Sequence, residues 1–167
     1  MIYVCPLSQV GVVAERIGAR RMVTLLNAGT PVERPVSIAA HDHLYIAVND
    51  IAEAQDGLTL PGEAHVRTLL DFARGWDRSA PLLIHCFAGV SRSTASAYIV
   101  AAALTPERDE AELAQTLRRL SPSATPNPRL IAVADVILGR QGRMVEAIRG
   151  IGRGADCFEG NPFGLDL

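Results

Sequence analysis

Short apolar runs alternate along the chain with longer stretches in which apolar residues recur every three or four positions. The short runs, at residues 2–5, 22–26, 43–48 and 82–85, predict β-strands, and the last of them is typical of a buried central strand. Helical spacing predicts helices at residues 8–18, 61–76, 92–104 and 109–120. This alternation favours an α/β fold, in which a central sheet of about four to five mostly parallel strands is flanked by helices.

Residues with strong positional preferences predict where the helices begin and end. Ser8 is expected to cap the first helix, and Asp109 is expected to cap the helix predicted at residues 109–120. Both side chains can accept hydrogen bonds from the free backbone amides of a helix N-terminus. Residues 129–151 are predicted to be mostly helical, with an interruption at Gly139 and Gly142.

Length and hydrophobicity predict a single domain. A chain of 167 residues, 49% of them hydrophobic, can bury a sizeable core without a metal or a disulfide. We expect one domain over residues 1–151, followed by a glycine-rich, loosely held C-terminal tail over residues 152–167. No apolar run reaches the roughly 18 residues that a membrane-spanning helix needs.

Charge and cysteine content narrow the candidate partners and the compartment. A net charge of −2 gives no electrostatic reason to expect binding to nucleic acid or to a membrane surface. The three cysteines are far apart and odd in number, which argues against a disulfide framework and for a reducing compartment. We find no signal peptide and expect a cytoplasmic protein. Every basic residue is an arginine, which we interpret as the codon bias of a GC-rich, bacterial genome.

The most informative segment is His-Cys-Phe-Ala-Gly-Val-Ser-Arg-Ser at residues 85–93. It joins the central strand to the start of an apolar helix. A strand, a tight loop and a helix N-terminus together form an anion site, because consecutive backbone N–H groups and the helix dipole both favour negative charge. The backbone of Phe87, Ala88, Gly89, Val90 and Ser91 is therefore predicted to bind phosphate or sulfate.

Each reactive residue type in this segment suits attack on a bound phosphate. Cys86 is the candidate nucleophile, since a helix N-terminus and a nearby cation favour the thiolate. Arg92 offers a planar fork that can bind two phosphate oxygens at once. Gly89 permits close backbone approach. Ser93 can donate its hydroxyl to Cys86 and stabilise the thiolate both as nucleophile and as leaving group.

The segment resembles the signature of the cysteine-dependent protein tyrosine phosphatase superfamily, His-Cys-x5-Arg followed by Ser or Thr. Weaker likenesses to the dual-specificity branch extend the resemblance in order over roughly residues 1–140, at residues 22–27, 44–50 and 126–128. The resemblance implies hydrolysis of phosphate monoesters through a phosphocysteine intermediate, with no metal or other cofactor. It also implies that His85 orders the loop by a structural hydrogen bond and that Asn127 supports it.

The reaction also needs an acid to protonate the leaving oxygen. Asp50 is our choice, because it follows a β-rich run and precedes a loop that contains glycine and proline, and because the resembled family places its acid at a similar distance from the cysteine. Asp56 and Asp42 are the competitors, and a turn-capping role is the ordinary alternative for Asp50.

Substrate and function class keep alternatives at this stage. The uncharged side chains of the loop favour a phosphorylated protein, on phosphotyrosine or with dual specificity, over a phosphoinositide or a small phosphate monoester. A phosphate-binding adaptor with little turnover is the alternative from another class. We expect Cys5 and Cys157 to be ordinary thiols, and the pair Arg118-Arg119 to be solvated surface.

Overall fold

A computed structural model of the chain describes residues 1–167 and contains five β-strands and six α-helices. In chain order these are β1 (Ile2–Pro6), α1 (Val10–Ile17), β2 (Arg21–Leu26), β3 (His43–Ala47), α2 (Glu63–Arg74), β4 (Leu82–Cys86), α3 (Arg92–Leu104), α4 (Glu110–Leu120), α5 (Pro128–Ile137), α6 (Arg143–Ile151) and β5 (Phe163–Leu165).

The strands form one sheet in the order β3-β2-β4-β1-β5. The first four strands in that order run parallel, and β5 pairs antiparallel with β1 at the edge. The carboxyl ends of β1, β2, β3 and β4 therefore meet at one edge of the sheet, where α/β folds place their ligand sites. Cys86 is the last residue of β4 and lies at this edge.

Helices cover the two faces of the sheet unequally. The larger apolar core packs α2 to α6 against one face, and includes Leu82, Ile84 and Cys86 of β4. A smaller core packs α1 against the other face and includes Leu83 and Cys5. Alternation along the strands thus directs Cys86 and Cys5 to opposite faces. Helix α3 is buried almost all round, as its continuous apolar sequence predicts.

The single α/β domain, the mostly parallel sheet and the loop between a central strand and a buried helix are confirmed. Asp109 caps α4, with its side chain accepting from two backbone amides. The helical stretch 129–151 is divided at Gly139 and Gly142, and both glycines have positive φ. None of the helices has the length and apolar character needed to cross a bilayer.

Two local expectations are wrong. Helix α1 begins at Val10 after a 3₁₀ turn, and Ser8 instead donates its hydroxyl to the Glu159 carboxylate at 2.7 Å. The C-terminal segment 152–167 is not loosely held, because its residues Phe163–Leu165 form β5 and bury their alternate side chains. The division of the chain at residue 151 stays a prediction.

Candidate active site

The segment between β4 and α3 forms a tight loop against the end of β1. Gly89 has a φ of +70°, and a Cβ atom there would lie 2.7 Å from the Pro6 backbone nitrogen and 2.8 Å from the Cys5 carbonyl carbon. A side chain at this position is therefore excluded twice, by the backbone conformation and by contact with β1. We call residues 87–91 the phosphate loop, after the ligand that its sequence predicts.

The carbonyl groups of the phosphate loop point outward and accept hydrogen bonds from three surrounding segments. The bonds run from Leu7 N to Phe87 O (3.0 Å), from Gly160 N to Ala88 O (2.8 Å), from Thr125 N to Val90 O (3.0 Å) and from Asn127 N to Ser91 O (3.3 Å). Because C=O and N–H point in opposite directions across a planar trans peptide, the amides that follow these carbonyls face the interior of the loop. The loop thus has the geometry of an anion site.

Cys86 lies at the base of the phosphate loop, next to the N-terminus of α3. Its side chain is buried, and Sγ lies 3.1 Å from the hydroxyl oxygen of Ser93 in the first turn of that helix. A hydroxyl donated to sulfur stabilises the thiolate, as do the positive end of a helix dipole and the amides of the loop.

Arg92 is a buried cation whose guanidinium is only partly satisfied by the protein. Its Nη1 donates to Asn27 Oδ1 at 3.0 Å and to the Val48 carbonyl at 2.8 Å, which fixes the side chain between the ends of β2 and β3. Its Nε is buried, has no hydrogen-bond partner and lies 4.0 Å from Asp50 Oδ2. A buried donor without an acceptor is costly, and the oxygen of a bound anion would satisfy it.

Asp50 lies against the phosphate loop, as the sequence predicts for a residue of the site. Its Oδ1 accepts from the Ser91 hydroxyl at 2.7 Å and from the Asn127 side-chain amide at 2.8 Å. Both bonds fall on one oxygen, which leaves Oδ2 available on the side of Arg92. Asn127 also caps α5 through its own side-chain oxygen, so one residue links the acid, the loop and the helix.

The two competing aspartates are placed differently. Asp42 precedes β3 and pairs with Arg21 (3.7 Å), at the edge of the sheet opposite to the phosphate loop. Asp56 is exposed in the segment between β3 and α2 and makes no hydrogen bond. The backbone of Asn49 and Thr59 closes the base of that segment with a bond of 2.9 Å, so Asp50 stands just inside it.

A chain of hydrogen bonds runs beneath the loop from His43 through Thr24 to His85. Thr24 Oγ1 lies 2.8 Å from His43 Nε2 and 2.7 Å from His85 Nε2, and His85 Nδ1 lies 3.4 Å from the Cys86 carbonyl oxygen. The carbonyl can only accept, so Nδ1 of His85 donates to it, Nε2 accepts from the Thr24 hydroxyl, and His43 donates to Thr24. This arrangement is consistent with a structural role for His85.

Lowering the pH from 7 to 5 is expected to decrease the free energy of unfolding by about 2 kcal/mol through His85. Burial lowers the pKa of His85 from 6.5 to about 4. The unfolded chain therefore takes up a proton below pH 6.5 that the folded chain excludes until about pH 4, so stability falls as the pH decreases through this interval.

Denaturant unfolding at pH 7 and at pH 5, for the wild type and for His85→Gln, measures this effect. Burial and the nearby Arg34 also lower the pKa of His43, which adds to the loss in both proteins. The variant should therefore lose less stability than the wild type over the same interval. An equal loss would show that His85 is not the group responsible.

The other two cysteines lie outside the site. Cys5 points to the opposite face of the sheet from Cys86, and burial raises the pKa of its thiol to about 12. Cys157 is exposed in the C-terminal segment.

Several residues around the site were not found by sequence reasoning. The sequence pattern does point to two of them. Thr24 is a polar residue inside a buried strand, and Asn27 follows the carboxyl end of a parallel strand. No sequence pattern points to Gly160, since its partner in the phosphate loop, Ala88, is distant in the chain. Arg118 was wrongly expected to be solvated: it is half-buried and donates to four backbone carbonyls.

No family model matches this chain, and no curated protein matches it by sequence. Solved structures do match. Human DUSP28 has a TM-score of 0.63 and 17% identity, over 89% of this chain and 94% of that one. The Cydia pomonella PTP-2 phosphatase has a TM-score of 0.62 and 18% identity, over 80% of this chain and 83% of that one. PTPMT1, solved in complex with PI(5)P, has a TM-score of 0.57 and 13% identity, over 89% of this chain and 88% of that one.

The class of fold follows from these matches and from the sheet described above. The chain has the fold of the dual-specificity branch of the cysteine-dependent protein tyrosine phosphatases, as the resemblance of residues 85–93 implies. At these identities the likeness is one of fold, so the activity has to be argued from the site itself.

Proposed function

We propose that the protein hydrolyses phosphate monoesters through a phosphocysteine intermediate formed on Cys86. The observation that carries this proposal is the arrangement around the thiol. Sγ lies 3.1 Å from the Ser93 hydroxyl, at the start of a loop whose amides face inward, and the residue that ends this loop, Arg92, has a buried Nε without a hydrogen-bond partner. A nucleophile, an anion cradle and a free guanidinium donor thus meet at one point.

In the first step the Cys86 thiolate attacks phosphorus and the bond to the ester oxygen breaks. Asp50, as a carboxylic acid, gives its proton to the departing oxygen, so that an alcohol or phenol leaves instead of an anion. The inward-facing amides and Arg92 bind the three remaining phosphoryl oxygens, where charge accumulates in the transition state. Arg92 is held in place by Asn27 and by the Val48 carbonyl.

In the second step water attacks the phosphocysteine. Asp50, now a carboxylate, accepts a proton from that water, and the sulfur–phosphorus bond breaks to release inorganic phosphate and the thiolate. Ser93 stabilises the departing sulfur through the same contact that stabilises it as a nucleophile. Nucleophile and acid both return to their starting forms, and the cycle requires no metal or other cofactor.

The substrate that we favour is a phosphorylated protein, on tyrosine or with dual specificity. Phe87, Ala88, Val90 and Ser91 bring no charge to the loop, and Phe87, the residue after Cys86, has an exposed aromatic side chain. A phosphoinositide or another small phosphate monoester is the second candidate, since one structural neighbour, PTPMT1, was solved with PI(5)P bound.

Turnover of an aryl phosphate by the wild type, with and without a chelator, tests the proposal. Release of inorganic phosphate that a chelator does not change is the expected result. A protein that binds phosphate and does not turn over would be the adaptor and would contradict hydrolysis. Parallel assays on a phosphotyrosine peptide, a phosphoserine peptide and PI(5)P then rank the substrate classes, and we expect the highest kcat/KM on the phosphotyrosine peptide.

Asp50→Asn is expected to reduce kcat by about 10²–10⁴-fold on phosphotyrosine, because the leaving oxygen loses its proton donor. The reduction should be smaller on activated aryl phosphates, whose phenolates leave with little protonation. The basic limb of the pH–rate profile should also flatten, whereas the acidic limb should remain. Asp56→Asn is the matched control and should leave both limbs and the leaving-group dependence unchanged.

The reverse pattern would identify a different acid. If Asp56→Asn alters the leaving-group dependence and Asp50→Asn does not, then the acid belongs to the exposed part of the segment and Asp50 is a structural residue. Asp50 would in that case serve to hold Ser91 and Asn127.

A further inference from the structure

The C-terminal segment, residues 152–167, crosses the outer side of the phosphate loop before its strand β5 joins the sheet. At the crossing, Gly160 N donates to Ala88 O at 2.8 Å, the shortest of the backbone bonds that hold the loop carbonyls from outside. A Cβ atom at Gly160 would lie 3.1 Å from the Gly89 carbonyl oxygen and 3.4 Å from Val90 Cγ2. The two backbones are therefore in direct contact, and a side chain at residue 160 would have to push the phosphate loop aside by a few tenths of an ångström.

This bond holds the peptide of the loop whose rotation glycine makes easiest. The peptide between Ala88 and Gly89 carries the carbonyl that Gly160 binds and the Gly89 amide that faces the site. Because glycine is stable in both halves of φ space, this peptide can rotate at less cost than its neighbours. Rotation would turn the Gly89 amide away from the phosphate and direct the Ala88 carbonyl toward it, where it would repel the anion.

The segment is anchored on both sides of this contact. Before it, Gly154 N donates to Thr125 Oγ1 at 3.1 Å and Ala155 N to Pro122 O at 2.9 Å. Arg118 reinforces this side, with bonds to the carbonyls of Gly152 (2.7 Å) and Ala124 (2.8 Å).

Past the contact, β5 pairs with β1 and buries Phe163 and Leu165. Glu159, which precedes Gly160, accepts a hydrogen bond from the Ser8 hydroxyl. Ser8 in turn follows Leu7, whose amide binds the Phe87 carbonyl. The segment therefore spans between the other two supports of the loop.

We propose that this C-terminal segment is a positioning element of the phosphate loop, with Gly160 as the contact through which it keeps the Gly89 amide directed at the substrate. The inference rests on the proposed function, since it concerns how the same loop binds a phosphoryl group. The simpler alternative is that β5 serves stability alone. The two differ in what a change at Gly160 does to a fully folded protein.

The test compares Gly160→Val and Gly160→Ala with Gly150→Val, a control on α6 where a Cβ meets nothing within 4 Å. We would measure kcat and KM on an aryl phosphate, inhibition by vanadate, and thermal unfolding. Calorimetry would give the affinity for inorganic phosphate in a Cys86→Ser parent. We expect Gly160→Val to weaken phosphate binding about tenfold or more and to lower kcat. Small displacements of the groups that bind the substrate have large effects on the reaction rate. Gly160→Ala should have a smaller effect in the same direction, and Gly150→Val none.

The possible failures can be told apart. If the Cys86→Ser parent binds no phosphate and the wild type has no turnover, both the proposed function and this inference are overturned. A parent that binds phosphate, with a folded Gly160→Val that binds it equally and keeps wild-type kcat and KM, overturns this inference alone. Loss of folding in both Gly160 variants would also overturn it, because the segment would then act through stability.

Discussion

Cys86→Ser is expected to abolish turnover while phosphate binding persists. A serine hydroxyl is too weakly acidic to become the anion that attacks phosphorus, so the fall in kcat should be on the order of 10⁶-fold, as when other enzymes lose a covalent nucleophile. Binding should survive because the inward-facing amides and Arg92 do not depend on the sulfur. Steady-state kinetics on an aryl phosphate and calorimetry with inorganic phosphate measure the two effects.

Cys5→Ala is the matched control for this prediction. It removes another buried thiol, from the strand next to β4, whose side chain points to the other face of the sheet. Turnover should be kept, with at most some loss of stability from the smaller side chain. Substantial turnover by Cys86→Ser would rule out a phosphocysteine intermediate, and loss of turnover in Cys5→Ala would show that the mechanism omits a needed thiol.

The relative positions of the predicted site residues follow from local pattern where these residues are contiguous in the chain. Cys86, Arg92 and Ser93 fall within eight residues, and the strand and helix on either side fix their relative positions. Asp50 was predicted from the β-rich run before it, the glycine- and proline-containing loop after it and the spacing of the resembled family, and it lies at the same edge because β3 is parallel to β2 and β4. In both cases local pattern and topology together determine where the side chain lies.

The parts that were missed depend on contacts between distant segments. The strand β5 has three residues and no alternating pattern long enough to detect, and its pairing with β1 joins the two ends of the chain. Ser8 has the residue type of a helix cap, yet Glu159 competes for its hydroxyl from the C-terminal segment. In the sequence Arg118 resembles a surface charge, but in the folded chain it donates to the carbonyls of residues 122, 124, 151 and 152. Local propensity cannot predict a partner that the tertiary fold supplies.

These distant contacts also explain how a loop without charged side chains can direct its backbone amides inward. Four of the five loop carbonyls, those of Phe87, Ala88, Val90 and Ser91, accept from amides in other parts of the chain, so the loop keeps its inward amides free. The cost of holding five residues in this conformation is met by bonds in the folded state, before any substrate arrives.

Arg92→Lys is expected to lower kcat by about 10²–10³-fold, although the charge is kept. The planar guanidinium can hold Asn27 and the Val48 carbonyl through Nη1 while Nε remains for a phosphoryl oxygen. An ammonium group offers no such fork, so it cannot keep both sets of contacts in one geometry. Because the fork matches the transition state better than the bound ester, kcat should fall more than KM rises.

Arg67→Lys, on the exposed face of α2, is the control and should leave both constants unchanged. Near-normal kinetics for Arg92→Lys would mean that charge alone is sufficient at this position and that the unpartnered Nε is not a substrate contact.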